Sequence, residues 1–255
     1  MTDTYQHVYT RDSEEYQEAI KSISVVHERG RGIAWRIWPA AHVLIDWMEK
    51  NRQRWCKKVT HCVEIGAGVG LAGIAAAALG SSRVTITDLP EELAAINRSI
   101  ECNVEEVQSK IDVKPLRFGD LEDMQAVVAP IPQTTRIVVI ASDIVYWESL
   151  FVPIAETLKF FSTQRNAVSY IGYKIRHWKT EKRFFTKILS QYDLHAEVVF
   201  EGYIEEDDLQ SQTSTGSVHY KNDENSAELN EGTWNTRVYK ISANPKKDGL
   251  KSRIY

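Results

Sequence analysis

From residue 59 onward, short apolar runs alternate with stretches in which apolar residues recur every three or four positions. The first pattern fits strands buried on both faces, and the second fits helices that bury one stripe. Strands are predicted over 59–65, 84–88, 112–116, 137–142, 168–173, 196–201 and 237–241. Helices are predicted over 71–79, 91–104, 148–161 and 178–192, with Pro90 and Pro153 near helix starts, where a missing amide is tolerated. Upstream, 40–51 places Ala41, Leu44, Ile45 and Met48 on one face of a helix begun by Pro39. Strand and helix alternation of this kind predicts an α/β fold with a seven-stranded, mostly parallel sheet and helices on both faces. The last two strands have no helix between them, so one antiparallel strand is expected there.

Three segments fall outside this scheme. Residues 1–30 are polar with weak periodicity and read as an N-terminal extension that docks as a hairpin or a helix. The domain proper is expected over 31–245, interrupted at about 205–231 by a loop rich in Ser, Thr, Asn, Asp and Glu. Residues 246–255 form a basic tail carrying Lys246, Lys247, Lys251 and Arg253. Of the 255 residues, 43% are hydrophobic, enough for one sizeable core. The longest apolar stretch, 68–80, is shorter than the roughly 20 residues a membrane span needs. Cys56, Cys62 and Cys102 form no Cys-x-x-Cys pair, which argues against a disulfide framework or a zinc site and for a reducing compartment. A net charge of -4 without a basic stripe offers no footprint for a nucleic-acid backbone. A monomer without metal, nucleic-acid or membrane partners is expected, located in the cytoplasm and also the nucleus.

The chemistry concentrates in Val63-Glu64-Ile65-Gly66-Ala67-Gly68-Val69-Gly70, where a buried strand runs into glycines and then a helix. Glycines at 66 and 68 permit positive φ and a close approach of a ligand to the backbone. A dinucleotide site would need G-x-G-x-x-G, so that a pyrophosphate can sit on the helix N-terminus. Here the third glycine comes one residue early, at Gly70, and Glu64 precedes the turn. An acid beside the turn suits a cation better than an anion. Asp88 ends the next strand 22 residues beyond Gly66, close to where a ribose-binding carboxylate is expected. The alternative is that it merely caps the following helix, but both signals fall on the elements a ribose site needs.

The spacing E-x-G-x-G-x-G resembles the first motif of class I methyltransferases. Gly32-Ile33-Ala34-Trp35-Arg36-Ile37-Trp38-Pro39 resembles the G-x-x-x-W segment of the methyltransferase-like family of seven-strand protein lysine methyltransferases, and Asp143-Ile144-Val145-Tyr146 resembles that family's D-x-x-Y signature. Tyr173-Lys174-Ile175-Arg176 matches its strand-to-helix passage. The resemblance implies a Rossmann-like fold and S-adenosyl-L-methionine as methyl donor, leaving S-adenosyl-L-homocysteine. It implies that Trp38, Glu64, Gly66, Ala67, Gly68, Asp88, Phe118 and Ala141 contact the cofactor. It also implies that Asp143 and Tyr146 serve the methyl acceptor, a lysine of a non-histone protein such as a chaperone, an elongation factor or an ATPase. Arginine remains an alternative acceptor, because Pro39 stands where many lysine-specific members carry an acid. A small-molecule methyltransferase would share the first motif but has no need of D-x-x-Y.

Overall fold

The structure, a computed structural model, describes residues 4–10, 22–28, 31–57, 59–203, 213–214, 219–220 and 235–244. The acidic loop falls outside these residues except for two pairs, and the basic tail falls outside them altogether. The chain begins with an antiparallel hairpin of β1 (Thr4–Thr10) and β2 (Ser22–Glu28). The main sheet contains β3 (Thr60–Ile65), β4 (Arg83–Asp88), β5 (Ile111–Pro115), β6 (Arg136–Ser142), β7 (Val168–Lys174), β8 (Leu194–Tyr203) and β11 (Thr236–Ala243). The two-residue strands β9 (Thr213–Ser214) and β10 (His219–Tyr220) pair with β1 and β8 respectively.

The order across the sheet is β10-β8-β11-β7-β6-β3-β4-β5. Pairings among β3 to β7 are all parallel, whereas β11 inserts antiparallel between β7 and β8. The seven expected strands are therefore all present, with the antiparallel one at 236–243. Strand β3 is buried along its whole length, as a strand covered by helices on both faces must be.

Alternation along the strands creates two cores. On one face Cys62, Val84, Ile86, Val138 and Ile140 pack beneath α1 (Pro39–Lys50), α3 (Leu71–Ala78) and α4 (Leu93–Glu101), following a short α2 (Arg52–Trp55). On the other, Val63, Ile65, Val139, Ala141 and Ile171 pack beneath α6 (Leu121–Val128), α7 (Phe151–Arg165) and the helical segment 178–191. A short α5 (Glu105–Gln108) precedes β5. In 178–191 the helix opens as α8 (Trp178–Arg183), passes through a π-turn at Phe184–Ile188 and closes as α9 (Leu189–Gln191). No helix among the described residues is long and apolar enough to cross a membrane.

The N-terminal segment docks as a hairpin and contributes to the first core through Ile23 and Val25. Its backbone is held by side chains of α4 and the turn after it: Ser24 N–H donates to Asn103 Oδ1 at 3.0 Å and Val26 N–H to Ser99 Oγ at 3.1 Å. Glu28 is buried between Arg31 and Arg98, at 2.9 and 2.8 Å. Helix α1 starts with Pro39 in its first turn and rests on β7, where Gly172 lets Ala40 approach: a Cβ at 172 would stand 2.6 Å from the Ala40 carbonyl oxygen.

Candidate active site

The carboxyl ends of β3 to β7 open on one cavity of about 730 Å³, the size of a cofactor pocket. Its floor is the glycine turn. Gly66, Gly68 and Gly70 have φ of 63°, 58° and 80°, so the chain turns through a region that side chains avoid. A Cβ at Gly66 would stand 2.8 Å from Ile144 and 2.9 Å from Phe118, and one at Gly68 would stand 2.8 Å from the Ala34 oxygen. Glycine is thus required by space as well as by φ. Asp88, at the end of β4, accepts from Gly68 N–H at 2.6 Å through Oδ2 and from Leu89 N–H at 2.7 Å through Oδ1. Burial raises its carboxyl above the ordinary carboxylate range, and those two amides oppose the rise.

The segment before α1 forms one wall. Trp38 lines the cavity, its indole N–H donating to the Ile33 oxygen at 3.1 Å. Guanidinium groups of Arg36 and Arg176 lie 5.3 Å from its ring centroid, within cation–π range. Trp35, by contrast, is buried away from the cavity, with its N–H donating to Glu92 at 2.8 Å and Arg31 stacked 4.0 Å from its ring.

Asp143 follows β6 and is buried in a left-handed conformation, φ 59°. Its N–H donates to the Gly172 oxygen at 2.8 Å, which ties the turn to β7. Its carboxylate is held by Arg176 in a bidentate pair: Nη1 to Oδ1 at 2.8 Å and Nη2 to Oδ2 at 2.6 Å. Lys174 N–H adds a third bond to Oδ1 at 3.1 Å. Arg176 is itself fixed, because Nη1 also donates to the Lys174 oxygen at 3.2 Å and its backbone N–H donates to buried Glu181 at 3.1 Å. Glu181 Oε2 further accepts from His177 N–H and the Tyr173 hydroxyl. Tyr146 lines the same cavity and packs against exposed Trp147, with centroids 4.9 Å apart. Burial, and then the negative charge of Asp88, push its hydroxyl pKa up. Residues 143–147 are irregular, and the chain turns helical only at Glu148, so Tyr146 stands on a loop rather than in the first turn of a helix.

Of the expected site residues, Trp38, Gly66, Ala67, Gly68, Asp88, Phe118, Asp143 and Tyr146 are gathered on this cavity. Two are not. Glu64 is sealed beneath the turn, where Oε2 accepts Gly73 N–H at 2.8 Å while Oε1 has no hydrogen-bond partner. Ala141 lies in the core behind the strand end. Glu64 instead supports the backbone that follows the floor, and Ala141 packs in the second core. Arg176, His177, Glu181 and Trp147 line the cavity without having been assigned a role from sequence. Only the position of Arg176, two residues beyond a buried strand, pointed to one.

A family model described as lysine methyltransferase matches residues 17–191. The chain belongs to that family. Protein N-lysine methyltransferase METTL21A of Danio rerio is 31% identical over 164 residues, covering 64% of this chain and 70% of that protein. EEF1A lysine methyltransferase 3 of Mus musculus is 34% identical over 162 residues, covering 63% and 64%. Among solved structures, a SAM-dependent methyltransferase from Agrobacterium tumefaciens superposes with a TM-score of 0.52 at 9% identity, covering 87% of this chain and 67% of that one. A putative methyltransferase complexed with SAH, SMU.776, gives 0.50 at 11% identity, covering 86% and 53%. These two support the fold. The protein is an S-adenosyl-L-methionine-dependent lysine methyltransferase, and the cavity at the strand ends lies where ligands bind in open α/β sheets.

Proposed function

We propose that the cavity holds S-adenosyl-L-methionine on its β3–β4 side and a substrate lysine on its β6–β7 side, with Asp88 and Asp143 as the two anchoring carboxylates. The observation that carries this division is that both acids, on strands separated by β3, reach a single cavity. The residues present fit the cofactor. Asp88 offers a buried acceptor at the ribose position, Gly66 to Gly68 offer a floor without side-chain bulk, and Phe118 offers an aromatic face for adenine. When bound, the cofactor supplies an electrophilic methyl on a sulfonium: the amine lone pair forms the N–C bond, the S–C pair returns to sulfur, and the extra proton on nitrogen passes to water.

Positioning and exclusion of water are the protein's main contribution to such a displacement. Trp38 packs on the cofactor side, Tyr146 walls the acceptor side, and Asp143 accepts a hydrogen bond from the amine to orient it. The substrate is a folded or extended segment of another protein, and Ile33, Leu89 and Trp147 support this reading. All three are exposed large apolar side chains, 45%, 40% and 56% accessible, and all three line the cavity, as a docking rim requires. The relatives named for EEF1A make an elongation factor the first candidate, with chaperones and ATPases next. Incubating a cell lysate with the enzyme and a methyl-labelled donor tests this. Mass analysis of the labelled proteins should find methyl-lysine at one or a few sites, and label confined to methyl-arginine or to small molecules would refute it.

A further inference from the structure

An Asp143 carboxylate facing a substrate ammonium raises a difficulty. The ammonium has no lone pair, and a lysine amine with its ordinary pKa of about 10.4 is almost wholly protonated at pH 7. A buried, uncompensated carboxylate would hold the proton on nitrogen more tightly still. The bidentate contact of Arg176 with Asp143 removes that obstacle. Building on the acceptor-site assignment above, we propose that Arg176 is a positioning and specificity residue. It neutralises Asp143, so that the carboxylate accepts a hydrogen bond from a neutral amine instead of serving as counter-ion to an ammonium.

The geometry is specific. A carboxylate has about four lone-pair directions, and three on Asp143 are taken by Lys174 N–H and the two Arg176 nitrogens. The fourth, on Oδ2, is left to accept one N–H. Arg176 is not a loose surface cation. Its guanidinium is held at three points and lies over Trp38, while Glu181 grips its backbone. The hydrogen bonds to Asp143 raise its pKa further, which keeps the positive charge in place. The other charged walls are committed elsewhere or stand on other strands. Glu92 accepts from Trp35, Glu181 from Tyr173 and two amides, Arg117 pairs with Asp123, and Asp88 binds the glycine turn. Arg36 flanks Trp38 from before α1, and His177 follows Arg176 directly.

The test needs no knowledge of the substrate. Sinefungin carries an amine-bearing carbon where the donor has its methyl-bearing sulfur, so its ammonium reads the charge of the acceptor site; S-adenosyl-L-homocysteine carries no charge there. The ratio of their calorimetric affinities cancels any general damage to the cofactor pocket. Arg176→Met should raise the ratio in favour of sinefungin by at least about tenfold, Arg176→Gln should do the same, and Arg176→Lys should stay near the wild-type ratio. The gain should vanish when Arg176→Met is combined with Asp143→Asn. An unchanged ratio in both neutral variants, or a gain that survives in the double variant, overturns the proposal. Failure of the underlying assignment shows separately: in a cell lysate with a methyl-labelled donor, Asp143→Asn would then label lysine at the wild-type rate.

Discussion

Glu64 is sealed beneath the glycine turn, and burial pushes its carboxyl from the ordinary 4.5 up to about 8. Gly73 N–H opposes the rise and the charge of Asp88 adds to it. The folded protein therefore keeps a proton at neutral pH that the unfolded chain releases. The stability that Glu64 contributes is full below about pH 4.5 and is lost as pH climbs towards 8. Glu64→Gln, which mimics the neutral acid, should flatten the fall of unfolding free energy between about pH 5 and 8 in urea titrations. An identical slope in both proteins would show that Glu64 is ionised in the fold. At this scale the placement of Asp88, Phe118, Asp143 and Tyr146 on the cavity was legible in the sequence, because motif spacing encodes which strand each follows, and that of Trp38 because it stands directly before the proline that opens α1. The Asp143–Arg176 pair was not, because its partners are 33 residues apart and meet only through β6–β7 pairing. Glu64 was misplaced for a related reason. Spacing locates it one turn from the ligand, but the pleat of β3 points it away, under Gly73.

The elements show where periodicity suffices. Buried parallel strands read as apolar runs, and all seven were located to within a few residues. Helix α6 was not anticipated: it spans eight residues, has only Met124 and Val127 buried, and starts from an Asp120 side chain accepting Asp123 N–H at 2.9 Å. A pattern of two buried positions is too short to stand out. The helix expected over 178–192 hides a π-turn, which packs Phe184 and Phe185 side by side into the second core. The contact of α1 with β7 governs the site more directly, because α1 begins immediately after Trp38. Gly172→Ala would place a methyl 2.6 Å from the Ala40 oxygen and 3.0 Å from Leu44 Cβ. The expected cost is about 1–3 kcal/mol of stability, with weakened S-adenosyl-L-homocysteine binding as α1 and Trp38 shift. Wild-type urea midpoint and affinity together would contradict that coupling.

At the scale of the molecule, the sheet serves as a frame that brings separate loops to one edge. Strands β3 and β4 supply the floor and Asp88, β6 supplies Asp143 and Tyr146, β7 supplies Arg176, and the segment between the hairpin and α1 lies over the glycine turn through Ala34. The hairpin is part of this frame, since Ile23, Val25 and Glu28 are buried and the family match begins at residue 17. Its sequence hid that role because β2 buries only Ile23, Val25 and Glu28, and one of the three is charged. The central claim is that this edge carries two chemically distinct halves, a cofactor half at Asp88 and an acceptor half at Asp143. Calorimetric titration of S-adenosyl-L-homocysteine into the wild type, Asp88→Asn and Asp143→Asn tests it most directly; asparagine tolerates the left-handed backbone at 143. Asp88→Asn should lose at least about tenfold in affinity, as expected for a charge-assisted hydrogen bond, and Asp143→Asn should keep wild-type affinity. Equal losses in both variants, or a loss confined to Asp143→Asn, would contradict it.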